Sequence, residues 1–261
     1  MKFEQIYVSG TLKDFFSMGI KNKWNLKDYQ DVNSPAIFFG LYSDKDRSVL
    51  ANHKNKSLVI WGGKDMSYEK SLKLVKSLVD KKISATWVYP GFFSQILDNY
   101  NIKHKKIYIP IKDYSFFQPE VLGDKIYCYK GVLGNRGDYF KWNEIIKPLI
   151  DRYGLEKIIF TENKNVETLK NDFYKKSFVY IKPNERGGCT TMFELAHMGR
   201  KTIGIGHEES GFFSNYNSIN NLFEKIDNES KKIGTINENV CSSVKNIFIN
   251  NNDWLNFEFY E

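Results

Sequence analysis

Short apolar runs, each closed by glycine or proline, alternate along this chain with longer stretches in which apolar residues recur every three or four positions. The first pattern predicts buried strands and the second amphipathic helices. Residues 5–8, 36–39 (ended by Gly40), 58–61 (stopped by Gly62 and Gly63) and 85–88 (followed by Pro90 and Gly91) read as strands. A further strand is expected over 107–111, broken by Pro110. Between them, 43–52 reads as a polar helix or turn and 92–100 as a helix, while 15–20 starts a helix or an irregular lid. The clearest helix is 68–80, with Leu72, Leu74, Val75, Leu78 and Val79 set among lysines. Wholly apolar strands separated by helix-length segments predict a parallel sheet whose carboxyl edge carries the loops.

The alternation fails over 114–124, where proline, glycine and aromatics mix, and this stretch reads as an interdomain linker. It then resumes. A strand at 125–129 leads into a loop with Gly131, Gly134 and Gly137, together with Lys130, Asn135 and Arg136. A helix over 142–153, a strand over 157–160 and a helix over 166–174 follow, with Thr161 and Glu162 just past the second strand. The most informative stretch is 178–206. An apolar strand is ended by Lys182 and Pro183, because proline cannot donate to a ladder. A polar turn, Asn184 to Gly188, comes next, and from Thr190 a compact helix carries Met192, Phe193, Leu195, Ala196 and Met198. Gly199 closes it, Arg200 and Lys201 sit at its negative end, and 202–205 reads as another strand. Strand, glycine turn, helix and strand make a βαβ unit whose turn presents backbone N–H groups at a helix N-terminus, a site for an anion such as phosphate. A polar loop over 207–214 and helices over 219–233 and 238–249 complete the chain, which ends in an aromatic tail.

Composition narrows the classes. Hydrophobic residues at 41% and aromatics at 16% indicate a folded protein, and 261 residues suffice for one large or two modest cores. The net charge of +7 is spread in singles and pairs, which fits a nucleotide phosphate or a basic face against an anionic membrane, and argues against nucleic acid. Three scattered cysteines form no disulfide framework or CxxC, and four histidines show no metal spacing, so neither disulfides nor a metal site is expected. With no signal peptide or membrane-length apolar run, a soluble, cytoplasmic protein is expected.

The stretch GGCTTMFELAHMGRKTIGI resembles the donor-binding motif of the carboxyl domain of GT-B glycosyltransferases, short group-1-like members of which include a virus-associated type. The resemblance implies an α/β fold of two Rossmann-like domains, each a parallel sheet flanked by helices. The first, 1–118, lies on the acceptor side, the second, 119–236, binds the nucleotide sugar, and a C-terminal helix and tail, 237–261, crosses back to the first. It implies transfer of a sugar from a UDP- or GDP-linked donor to the hydroxyl of a glycan or lipid-linked glycan, with no metal or other cofactor. Glu194 matches the family's ribose-binding glutamate, and Gly187, Gly188, Cys189 and Thr190 its phosphate-side loop. Lys130, Gly131, Asn135 and Arg136 take the place of the loop that meets the donor diphosphate, with Thr161 and Glu162 near base or ribose. Arg186 stands eight positions before Glu194, where the best-known retaining branch has an acidic residue, and is a catalytic candidate through charge. Asp65, beside Gly62 and Gly63 on the acceptor side, and His53 are the candidates for a general base, and no spacing selects between them. A non-catalytic binder of nucleotides or sugars is the competing reading.

Overall fold

The computed structural model describes residues 3–12, 21–22, 24–79, 81–109, 112–129, 141–161, 164–185 and 189–248. The chain divides into two compact units: Met1–Asp113, which Phe248 rejoins, and Tyr114–Ile247.

In the first unit the strands are β1 (Gln5–Val8), β2 (Lys27–Asp28), β3 (Ala36–Phe39), β4 (Ser57–Ile60), β5 (Ile83–Val88) and β6 (Lys105–Lys106). The helices are α1 (Asp44–Asn52), α2 (Glu69–Leu78) and α3 (Phe92–Asn99). The sheet runs β2-β1-β3-β4-β5-β6 with every neighbouring pair parallel. Successive side chains point to opposite faces, which sorts the apolar runs into two cores. Ala36, Phe38, Val59 and Trp61 pack with Leu50 of α1, Leu72 and Val75 of α2 and Leu97 of α3. Ile37, Phe39, Leu58, Ile60 and Trp87 pack with Trp24, Leu26, Ile107 and Ile109. Segment 43–52, open between helix and turn in the sequence, is a helix because Ser43 and Asp46 form a capping box. Of the strand expected at 107–111, residues 107–109 are described, and they lie past β6, a two-residue edge strand: Ile107 donates its amide to Val88, Tyr108 forms an isolated bridge with Phe248, and Ile107 and Ile109 serve as core.

The second unit has β7 (Lys125–Tyr129), β8 (Ile158–Thr161), β9 (Ser177–Lys182), β10 (Lys201–Gly204) and β11 (Phe213–Asn215). Its helices are α4 (Lys147–Tyr153), entered through a wide π-type turn at Trp142–Ile146, and α5 (Val166–Thr168), widened likewise over Leu169–Tyr174. These are followed by α6 (Cys189–His197), α7 (Ile219–Ser230) and α8 (Glu238–Ile247). The order is β11-β10-β9-β7-β8, again all parallel. On one face Ile126, Cys128, Val179, Ile181 and Ile203 meet Ile145, Leu149, Leu222 and Ile226. On the other, Tyr127 of β7 meets both Tyr180, its partner on β9, and Tyr174. α8 packs on α6 within this unit, and the chain passes to the first unit at Phe248; the tail beyond lies outside the described residues.

Residues 114–124, expected to be a linker, are instead fixed to the second unit. Tyr114 stacks on His197 at 4.9 Å, Phe117 is buried beside Tyr174, and Arg200, itself fully buried, donates to the carbonyls of Glu120 at 2.8 Å and Val121 at 2.7 Å.

Candidate functional site

Numbering the strands of the second unit within that unit gives the order 2-1-3-4-5, in which connections leave the first and third strands toward opposite sides. Ligands in open parallel sheets bind at the carboxyl ends of those two strands, where the winding reverses. Here they are β7 and β9, hydrogen-bonded neighbours. The chain leaves β7 into the glycine-bearing loop and β9 into the glycine turn, so both segments singled out in the sequence start from one place on the sheet edge.

Lys182, the last residue of β9, is only 3% exposed, and its Nζ donates to the carbonyls of Asn184 at 2.5 Å and Ile205 at 3.4 Å. That pins the turn after β9 to the loop after β10. Gly204, which ends β10, and Gly206 in the loop after it are both needed for this nesting. A Cβ at Gly204 would lie 2.8 Å from Lys182 Cβ, and one at Gly206, whose φ is +85°, would lie 2.5 Å from Glu185 Cα.

Glu194 of α6 is 4% exposed, and its Oε2 accepts the Tyr174 hydroxyl at 2.7 Å. Burial and the neighbouring Glu194 charge push the Tyr174 phenol well above its ordinary value, so it keeps its proton and is the donor. The Tyr174 ring meets Tyr127 edge-on at 5.2 Å, and the Tyr127 hydroxyl lies 2.6 Å from Thr161 Oγ1 at the end of β8. Thr161 and Glu194, predicted separately, are thus joined through Tyr127 and Tyr174, which sequence reasoning missed. Tyr127 was visible only as a β7 residue on the face opposite Ile126 and Cys128. Cys189 opens α6, and Thr190 is half-buried in its first turn. Lys130, Gly131, Asn135, Arg136, Glu162, Arg186, Gly187 and Gly188 lie outside the described residues.

In the first unit, Asp65 is fully buried, and Oδ2 accepts N–H bonds from Leu41 at 3.0 Å and Gly62 at 3.1 Å, binding together the loops that follow β3 and β4. Burial raises its pKa to about 6 against the opposing pull of those amides. A second carboxylate, Asp46, unremarked in the sequence, accepts Tyr7 at Oδ1 and Ser9 and the Ser43 amide at Oδ2, all at 2.8 Å. It ties β1 to the start of α1 at this unit's own switch point. Burial pushes its carboxyl up, but the hydrogen bonds outweigh that, and the net shift is downward. Among the described residues, no group of three or more His, Cys, Asp or Glu is placed to hold a metal, and no helix is long and apolar enough to cross a membrane.

Two all-parallel, doubly wound units in one chain are the α/β architecture of GT-B glycosyltransferases, and solved structures of that class share it. A sucrose-phosphate synthase from Thermosynechococcus elongatus matches with a TM-score of 0.55 at 15% identity, over 82% of this chain and 69% of that one. A glycosyltransferase from Rickettsia africae matches with a TM-score of 0.50 at 16% identity, over 88% and 74%. A mutant of S. aureus TarM, solved in complex with fondaparinux, α-GlcNAc-glycerol and UDP, matches with a TM-score of 0.50 at 15% identity, over 94% and 57%. At such identities the likeness is one of fold. No family model matches the chain, and neither does any curated protein sequence.

Proposed function

We propose that the protein is a glycosyltransferase that moves a sugar from a UDP- or GDP-linked donor to an acceptor hydroxyl on a glycan or lipid-linked glycan. The observation that carries this reading is that β7 and β9, the strands that lead into the two glycine-bearing segments, are neighbours at the switch point of the second sheet, with Glu194 of α6 held by Tyr174. In this reading Glu194 binds the nucleotide ribose, and Thr161 and Glu162 lie toward base and ribose. The amides of Gly187 to Thr190 receive the diphosphate. As the glycosidic bond breaks, negative charge grows on the departing diphosphate, and the α6 N-terminus with Lys130, Arg136 and Arg186 meets it without a metal. Gly131 and Asn135 let the backbone of their loop approach the same phosphates.

Asp65 acts in this scheme by positioning rather than by proton transfer, since its carboxyl is buried and already accepts two backbone amides. The same observation favours a second reading, a non-catalytic relative that binds nucleotide sugars without turning them over. A thermal-shift screen with UDP, GDP and their sugars, followed by donor hydrolysis across the same panel, tests both. Stabilisation of several degrees by one nucleotide together with release of its sugar is expected, because ligand at 100 times its Kd adds about 2.7 kcal/mol to native stability. Binding without turnover would support the second reading, and stabilisation by none of the nucleotides would end both.

A further inference from the structure

We propose that Tyr174 is a positioning residue for nucleotide recognition: by holding Oε2 of Glu194 it aims the carboxylate at the ribose hydroxyls, so that selection for a ribose over a dideoxy sugar depends on a phenol outside the predicted site. The inference rests on the function proposed above and adds a residue and a specificity to it.

Three features of the structure lead there. A glutamate on a helix has three side-chain torsions, and loss of their freedom weakens any ligand bond unless the protein has already fixed them. Here the carboxylate is fixed by a hydrogen bond of 2.7 Å within a buried space. The phenol itself has little room to move. Its ring is completely buried and braced edge-on by Tyr127 at 5.2 Å and against Phe117 at 6.3 Å, and its main-chain carbonyl accepts both Arg200 Nε at 3.1 Å and Ser177 Oγ at 2.8 Å. The brace also continues to the sheet edge, because the Tyr127 hydroxyl is bonded to Thr161. A rigid phenol with its proton aimed at one oxygen of Glu194 orients a ligand-binding group, which packing alone would not require.

The test uses the full-length protein and measures binding of UDP, GDP and their 2′,3′-dideoxy analogues by calorimetry. Tyr174→Phe removes one oxygen and keeps the ring. Expected is a loss of about tenfold in affinity for the preferred ribonucleotide, equivalent to about 1.4 kcal/mol, with little change for the dideoxy analogue, so that the ratio between them collapses. In the Glu194→Ala background the same substitution should produce no further loss, since the phenol acts through the carboxylate. An unchanged ratio in Tyr174→Phe would overturn the inference while leaving the proposed function standing. Failure of the unaltered protein to bind either nucleotide would overturn both. If Tyr174→Phe does not fold, Tyr127→Phe carries the test by loosening the brace: about a threefold fall in the same ratio is expected, and an unchanged ratio overturns the inference.

Discussion

Arg200 donates from its guanidinium to the main-chain carbonyl of Glu120 at 2.8 Å, across eighty residues of sequence. Its other donors reach the carbonyls of Val121, Tyr174, Lys175, Ser177 and Met198, so one side chain joins the start of the second unit, the approach to β9 and the end of α6. Burial lowers its pKa to about 10, and the group still carries its charge at neutral pH.

Arg200→Lys keeps that charge but offers three donors on a point-like ammonium in place of a planar fork. Carbonyls left without donors in a dry site cost about 1–3 kcal/mol each. A loss of roughly 3 kcal/mol or more in unfolding free energy is expected, read by chemical denaturation. A variant as stable as the parent would show that the carbonyls find other partners.

The raised pKa of Asp65 makes stability depend on pH with a defined sign. The folded value, about 6, lies above the ordinary 3.8, so the folded state binds the extra proton. Its contribution is fully present below about pH 4 and is lost as pH rises through 6, a change on the order of 3 kcal/mol. Asp65→Asn cannot titrate, so the stability difference between variant and parent should move in the variant's favour between pH 4 and pH 7. A difference that stays constant over that range would refute the assignment.

Gly206→Ala puts a methyl group against the Glu185 backbone at a positive φ. The loop after β10 must then part from the turn after β9, with an expected cost of about 1–3 kcal/mol in stability and a matching fall in nucleotide affinity. Parent-like melting and binding would mean that the nesting of the two loops is dispensable.

Arg136→Ala is expected to lower kcat more than it raises KM if the residue meets charge that grows on the leaving diphosphate. Steady-state kinetics with the preferred donor checks this. Equal effects on both parameters would make Arg136 a ground-state anchor only.

Much of the architecture was legible because β3, β4 and β9 hold apolar runs of three or four residues with turn residues soon after them, and α2 has apolar positions at helical spacing. What escaped was what such patterns do not encode. β2 is Lys27–Asp28, β6 is Lys105–Lys106 and β11 is Phe213–Asn215, short edge strands held by a neighbour's ladder rather than by their own composition. Segment 114–124 looked like a linker because its anchor, Arg200, lies eighty residues away and a buried arginine reads in sequence as a helix-end cation. Glu194 and Thr161 were legible from their places after a turn and a strand. Tyr174 was not, since nothing local separates a phenol that aims a carboxylate from one that fills a core.

The four oxygens of Thr161, Tyr127, Tyr174 and Glu194 form two donor–acceptor couples in a region where water has little access. In such surroundings no member can be exchanged alone without leaving its mate short of a partner. A lineage that altered its preferred nucleotide through these positions would therefore favour changes in twos, Tyr174 with Glu194 or Tyr127 with Thr161, because a solitary replacement weakens the mate it leaves behind.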